Sequence, residues 1–146
     1  MQISDGDCSI HTELNCRKIV PGIGVSKALV TNSVINFLTM VDTKSATIID
    51  RSHELYGKSI RDIILVFPNA IGSSVGAYAL YSLKINGVAP SAIVCVNNAD
   101  IITASGCAIS DIPLVDMLER PSSFILESEM QICVDADKEL VTIKTV

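Results

Sequence analysis

Residues 62–90 read DIILVFPNAIGSSVGAYALYSLKINGVAP, and the parsing of this stretch decides the fold. Ile63, Ile64, Leu65, Val66 and Phe67 form a short apolar run rich in β-branched residues, which predicts a strand buried on both faces. Pro68 ends it because proline supplies no ladder donor, and Asn69 to Gly72 make a turn. Ser73 and Ser74 are placed to cap a helix that runs to about Asn86. Gly87 closes that helix as a left-handed cap residue, with Pro90 just beyond. Two hydroxyls and a run of free backbone N–H groups are therefore expected at a helix N-terminus, at the carboxyl end of a buried strand. Orphan donors and helix dipole both favour an anion there. The plain alternative is that Ser73 caps the helix and binds nothing. Composition alone prefers the cap, since many strand–turn–helix units carry a serine in this place.

Downstream, Ser91 to Val96 reads as a second continuous buried strand. Two such runs joined by a helix make a βαβ unit with a parallel pair and a right-handed crossover. Asp100 to Ser110 predicts a second helix, capped near Asn98 or Asp100, and Pro113 to Val115 a third parallel strand. Residues 119–130 are polar and ambiguous. Gln131 to Val134 and Leu140 to Val146 flank a turn over residues 135–138, a hairpin pattern. Upstream, residues 1–13 are expected to form a loose extension. Leu14 to Val20 reads as a first strand, ended at Pro21, and Lys27 to Thr31 and Val34 to Met40 as two more. Thr43 to Ala46 reads as a turn, Thr47 to Asp50 as a strand and residues 51–60 as a loop. The sum is a β-rich, barrel-like or folded half followed by a βαβ half: one α/β domain of mixed sheet over residues 1–146.

Composition narrows the partners. The chain is 49% hydrophobic and 18% charged, yet no run approaches the length of a membrane span. Such a composition predicts that part of the surface is covered by a partner. The net charge is −5 and the eleven basic residues are dispersed, which argues against nucleic acid or an anionic membrane. The N-terminus MQISDGDCSI has neither the basic nor the apolar region of a secretory signal, so a cytoplasmic location is expected. Five cysteines (Cys8, Cys16, Cys95, Cys107, Cys133) without CxxC spacing give no metal or cluster site within the chain, and suit a reducing compartment.

Candidate chemistry is sparse. His11 falls in the extension, and His53 reads as a hydrogen-bonded loop residue. Asp42, Asp50 and Asp62 are each explained by turn or surface roles. No G-x-S-x-G elbow is present, Gly22-Ile23-Gly24 is too short for a dinucleotide fingerprint, and no lysine follows Gly72-Ser73-Ser74-Val75-Gly76 where a P-loop needs one. A chemical serine needs an activating neighbour that this chain does not offer. Ser73, if it reacts, belongs to a site that a second subunit completes.

The order of motifs resembles the small subunit of the aconitase X family, whose fold is similar to the swivelling domain of aconitase. The stretches that carry the resemblance are KALVTNSVINFLTMVD, IIDRSHELYGKSI, ILVFPNAIGSSVGAYALYSLKINGVAPSAIV and IPLVD, collinear over roughly residues 17–116. The most specific piece is P-x-x-x-GSS-x-G, then a helix and NGVAP-x-AIV. The resemblance implies a swivelling β/β/α domain within a two-subunit hydro-lyase. Two activities follow from it. One is loss of water from (R)-5-phosphomevalonate to give trans-anhydromevalonate 5-phosphate in an archaeal-type mevalonate route; the other is dehydration of cis-3-hydroxy-L-proline. It also implies a large-subunit partner bearing an iron–sulfur cluster of 4Fe–4S type, with no cofactor in this chain. Ser73 would be the proton acceptor, and Gly72 and Ser74 would bind the anionic substrate. The chain departs from the family pattern in three places. Ile23 stands where an arginine is common, Thr39-Met40 where a glycine pair precedes Asp42, and Ile71 where the Ser73 turn usually carries a basic residue. Two basic side chains are thus absent, and Arg51, Lys58 and Arg61 are the expected replacements. These losses keep open a third reading, a non-catalytic paralogue.

Overall fold

The structure is a computed structural model that describes residues 10–122 and 125–145. The parallel core is built as the sequence requires. Strand β4 (Ile64–Phe67) and strand β5 (Ala92–Cys95) are buried at every position, so neither alternates polar with apolar. They pair in parallel, Ile64 with Ala92 through Phe67 with Cys95, and are joined by helix α2 (Gly76–Ile85). Helix α3 (Ile101–Ser110) follows β5 and leads to the short parallel strand β6 (Leu114–Asp116). On the other side of β4 lies strand β3 (Ile23–Val30), whose last three residues pair in parallel with Ile64, Leu65 and Val66. The first half of β3 instead pairs antiparallel with β7 (Gln131–Asp135), which forms a hairpin with β8 (Leu140–Thr145). With β1 (Ile10–Asn15) beside β8 and β2 (Arg17–Val20) beside β6, the sheet order is β1-β8-β7-β3-β4-β5-β6-β2.

The period of two along β4 divides the core into two layers. Leu65 and Phe67 face α2 and α3 with Leu80, Leu83, Ile102 and Cys107, while Ile64 and Val66 face Leu14, Ile132, Val134, Val141 and Ile143 of the antiparallel strands. The mixed α/β architecture expected from the sequence is therefore present as helix, parallel-sheet and antiparallel-sheet layers. Helices α2 and α3 approach closely because Gly106 has no side chain. A Cβ there would lie 2.5 Å from Leu80 Cδ1 and 3.2 Å from the Ala77 backbone. At the sheet edge, Phe67 meets Phe37 edge to face at 5.7 Å.

Several element expectations are corrected. The extension call over residues 1–13 lies partly outside the described residues, and residues 10–13, His11 included, belong to β1, held by pairing to β8. Leu14 to Val20 is two strands that part at Cys16, one serving each layer. The antiparallel layer is thus drawn from both chain ends, joined by the first half of β3, and not from residues 31–50. Val34 to Met40 is not a strand: only Ile35 pairs, bridging Ala70, and Asn36 caps a one-turn helix, α1 (Phe37–Met40), by accepting from the Leu38 and Thr39 amides. Thr47 to Asp50 makes single bridges only, Ile48 to Val41 and Thr47 to Ser59, because the chain has just turned through Ala46 at φ 63°.

Candidate functional site

The turn after β4 is fixed from both sides. Ile35 N–H donates to the Asn69 carbonyl and Ile71 N–H to the Ile35 carbonyl, so the segment before α1 runs alongside it. From the other flank Asp100, the N-cap of α3, accepts the Ala70 amide at 2.8 Å while also accepting from Thr103 N at 2.9 Å. Gly72 then turns at φ 106°, against the Asn36 side chain. A Cβ at Gly72 would lie 2.6 Å from Asn36 Nδ2, so close approach and backbone angle both demand glycine.

Ser73 emerges from this turn exposed, beyond the carboxyl end of β4. It is not the cap that the sequence predicts. The N-cap position is Val75, which makes no side-chain capping bond, and Ser73 lies two residues earlier with its Oγ accepting the Val75 amide at 3.3 Å. The first turn closes through backbone instead, Gly76 N–H to Ser73 O and Ala77 N–H to Ser74 O. The reason is length: the bend at Gly72 places the serine pair ahead of the helix rather than on its first position. The amides of Gly72, Ser73 and Ser74 are left without an intramolecular acceptor among the described residues. Three consecutive free N–H groups just before a helix N-terminus supply donors of the kind that a carboxylate or phosphate accepts. A hydroxyl that already accepts an amide is stabilised toward its alkoxide form.

The other candidates are set apart from this turn. His53 is buried, with Nε2 against the Val34 carbonyl at 3.1 Å and Nδ1 accepting the Leu55 amide at 3.0 Å, so both ring nitrogens are engaged in holding the loop. Asp42 and Asp50 cap their own turns, Asp42 accepting the Lys44 amide and Asp50 accepting the Ser52 hydroxyl and then its amide, which holds both carboxyls below the ordinary range. Asp62 sits beside Arg61 at 3.3 Å, before the amino end of β4 and so at the opposite end of the sheet from Ser73. Ile23 is also at that far end. It pairs with Asp135, five residues before β3 reaches β4. At about 3.3 Å per residue this stands more than roughly 20 Å from the carboxyl edge. Its loss of a basic side chain therefore does not bear on the Ser73 turn. Arg61 and Lys58 are corrected as replacements for the same reason: Arg61 precedes β4, and Lys58 lines a cleft with Ala28, Ile63 and Glu129 toward that amino end. Ile71 adjoins the site directly, and Thr39 and Met40 lie in α1, whose cap Asn36 touches Gly72.

Two features were missed from sequence. Asn36 and Asp100 hold the turn without entering it, and the signal available was their N-cap chemistry. The second is an ion pair at the end of β6 between a buried carboxylate and a largely exposed guanidinium. Asp116, fully buried, takes both Arg17 Nε at 2.8 Å and Nη2 at 2.7 Å, and also the Ala99 amide at 2.7 Å. Burial pushes the Asp116 carboxyl up, the Arg17 guanidinium and Ala99 amide pull it down, and the net position is below the ordinary value.

The described thiols are dispersed. Cys95 and Cys107 are buried in the helix-side core, Cys133 is buried between Ile132 and Val134 of β7 but on the opposite face of that strand, and burial raises all three above the ordinary thiol range. Cys16, half-buried beside acidic Glu139 and Asp116, is pushed up to about 11. Among the described residues no group of three His, Cys, Asp or Glu is placed to hold a metal. No helix among them is long and apolar enough to cross a membrane.

Comparison with known proteins bears on the fold and the family. A family model described as the aconitase X swivel domain matches residues 13–143. The phosphomevalonate dehydratase small subunit of Methanococcoides burtonii is 38% identical over 90% of this chain and 96% of its own length. That of Thermococcus sibiricus is 43% identical over 90% and 98%. The crystal structure of Thermococcus kodakaraensis aconitase X in its holo form superposes with a TM-score of 0.83 at 39% identity, over 90% of this chain and 98% of that one.

Proposed function

Since the chain belongs to the aconitase X swivel-domain family, we propose that it is the small subunit of a two-subunit hydro-lyase acting on 5-phosphomevalonate. The product is trans-anhydromevalonate 5-phosphate. The observation that carries the reading is the exposed Ser73 hydroxyl beside three free amides at the carboxyl end of β4. Loss of water across C2 and C3 requires removal of the C2 proton, next to the substrate carboxylate. Ser73 Oγ takes that proton, its alkoxide form stabilised by the Val75 amide and the start of α2. The Gly72 to Ser74 amides, with the Ser74 hydroxyl, hold the carboxylate as negative charge builds on it. Departure of the C3 hydroxyl is assigned to the large subunit, on which the family resemblance places the iron–sulfur cluster.

A second reading rests on Ile71, an exposed apolar residue where the family pattern has a basic one. It favours a substrate without phosphate, such as cis-3-hydroxy-L-proline, or a paralogue without activity. Anaerobic co-expression with the large subunit separates these. Turnover of 5-phosphomevalonate supports the proposal, turnover of the hydroxyproline alone replaces it, and a stable complex silent on both points to the paralogue.

A further inference from the structure

The Ser73 turn carries no cation of its own, but the neighbouring loop holds one. Residues 96–100, which follow β5, are bonded to that turn twice: Val96 N–H donates to the Phe67 carbonyl at 3.1 Å, and Asp100 accepts the Ala70 amide at 2.8 Å. Within this loop Asn97 is itself clamped. Its carbonyl accepts the Met117 amide at 3.1 Å, and its Oδ1 accepts Arg120 Nη2 at 3.1 Å. One corner of the guanidinium is thereby fixed and its other donors are unspent. Arg120 lines a cleft of ≈ 220 Å³ with Val30 and Val66, near the carboxyl ends of β3 and β4, and Val96, just past β5, on the sheet face turned to the antiparallel strands. Glu119, the acid on that cleft, is engaged with the Asn15 amide at 3.1 Å.

Several other described bases are less suited. Arg17, Lys27 and Arg61 are paired with Asp116, Glu129 and Asp62. Lys84 donates to the Asp111 carbonyl at the far end of α2. Arg51 shares the carboxyl side, since His53 and Glu54 tie its loop to Val34 and Asn32, but nothing orients its side chain. Among the described residues Arg120 has no carboxylate partner, and its bond to Asn97 ties it to the loop whose Asp100 holds the Ala70 amide of the Ser73 turn.

We propose that Arg120 binds the phosphate of the substrate, in place of the basic residue absent at Ile71. The assignment rests on the dehydratase reading above. The proton Ser73 removes lies beside the carboxylate, which places that group at the Gly72 to Ser74 amides. The phosphate, beyond C3, C4 and C5, then extends toward the next loop. Arginine suits it because a planar fork meets two phosphate oxygens at once.

The test uses the co-expressed complex. Arg120→Ala raises KM for 5-phosphomevalonate about 10- to 100-fold with kcat within about 3-fold, and Arg120→Lys restores part of the loss. Lys84→Ala, at the far end of α2, leaves both constants unchanged. An unchanged KM in Arg120→Ala overturns the proposal. Should the wild-type complex not turn over 5-phosphomevalonate, the dehydratase reading fails, and Arg120 is judged by binding alone. Inorganic phosphate titrated onto complex with 15N-labelled arginine then shifts the Arg120 Nε–Hε resonance saturably; absence of that shift removes Arg120 as an anion ligand.

Discussion

Asp100 is the residue on which the shape of the Ser73 turn depends most, and its removal gives a loss that can be worked out. One oxygen accepts the Ala70 amide at 2.8 Å and the Thr103 hydroxyl at 2.8 Å; the other accepts the Thr103 amide at 2.9 Å as the α3 cap. Asp100→Ala deletes the cap, at about 0.5–2 kcal/mol. It also strands the amide of Ala70, a buried residue, at about 1–3 kcal/mol. Together these amount to about 2–4 kcal/mol, since the two terms share one side chain and do not add in full. For a chain of this length that lowers the thermal midpoint by roughly 5–15 °C. Asp100→Asn keeps one accepting oxygen and loses about half as much. The assay is thermal unfolding with amide exchange at Ala70. A loss below about 1 kcal/mol, or unchanged protection of the Ala70 amide, would refute the idea that Asp100 ties the turn to α3.

Other consequences are independent of that tie. Asp116 has a depressed carboxyl when folded, so its contribution is fully present above the ordinary carboxylate range and is lost as pH falls through the folded value. Asp116→Asn should destabilise at neutral pH by about 1–3 kcal/mol and flatten the acid limb of a stability–pH profile below about pH 4, whereas equal acid limbs would contradict the pairing. Gly106→Ala should cost about 1–2 kcal/mol by urea titration, because overpacking against the Ala77 backbone outweighs the helix-propensity gain of about 1 kcal/mol; a stabilised variant would show that α2 and α3 can separate. The isolated chain, reconstituted anaerobically with iron and sulfide, should retain no stoichiometric iron, and retention would place the cluster here.

The parallel core was legible because burial on both faces removes the ambiguity of period. Ile63 to Phe67 and Ser91 to Val96 have no polar position to accommodate, and Pro68, Gly87 and Pro90 mark where the chain must turn. The segment around Asn36 was not legible in the same way. Val34, Ile35 and Phe37 favour a strand by propensity, yet only Ile35 finds a partner, and the Asn36 cap wins the rest. The antiparallel layer was misassigned because β1 and β8 pair across almost the whole chain, a non-local register that periodicity does not encode. At the site, the glycine–serine motif located the turn, but not the residue spacing that sets Ser73 ahead of the helix. Nor did it show that Ile23 and Ile71, alike as lost basic positions, lie at opposite ends of the sheet. Arg120 and its hold on Asn97 left no mark in the sequence, since a lone arginine in a polar stretch has no pattern.

The most direct test of the central claim is Ser73→Ala in the co-expressed complex, measured for turnover of 5-phosphomevalonate alongside thermal unfolding. The account predicts a stable complex with its unfolding midpoint nearly unchanged, since Ser73 Oγ accepts only one exposed amide, and with turnover abolished. Near wild-type turnover in that variant would take the proton-acceptor role away from Ser73.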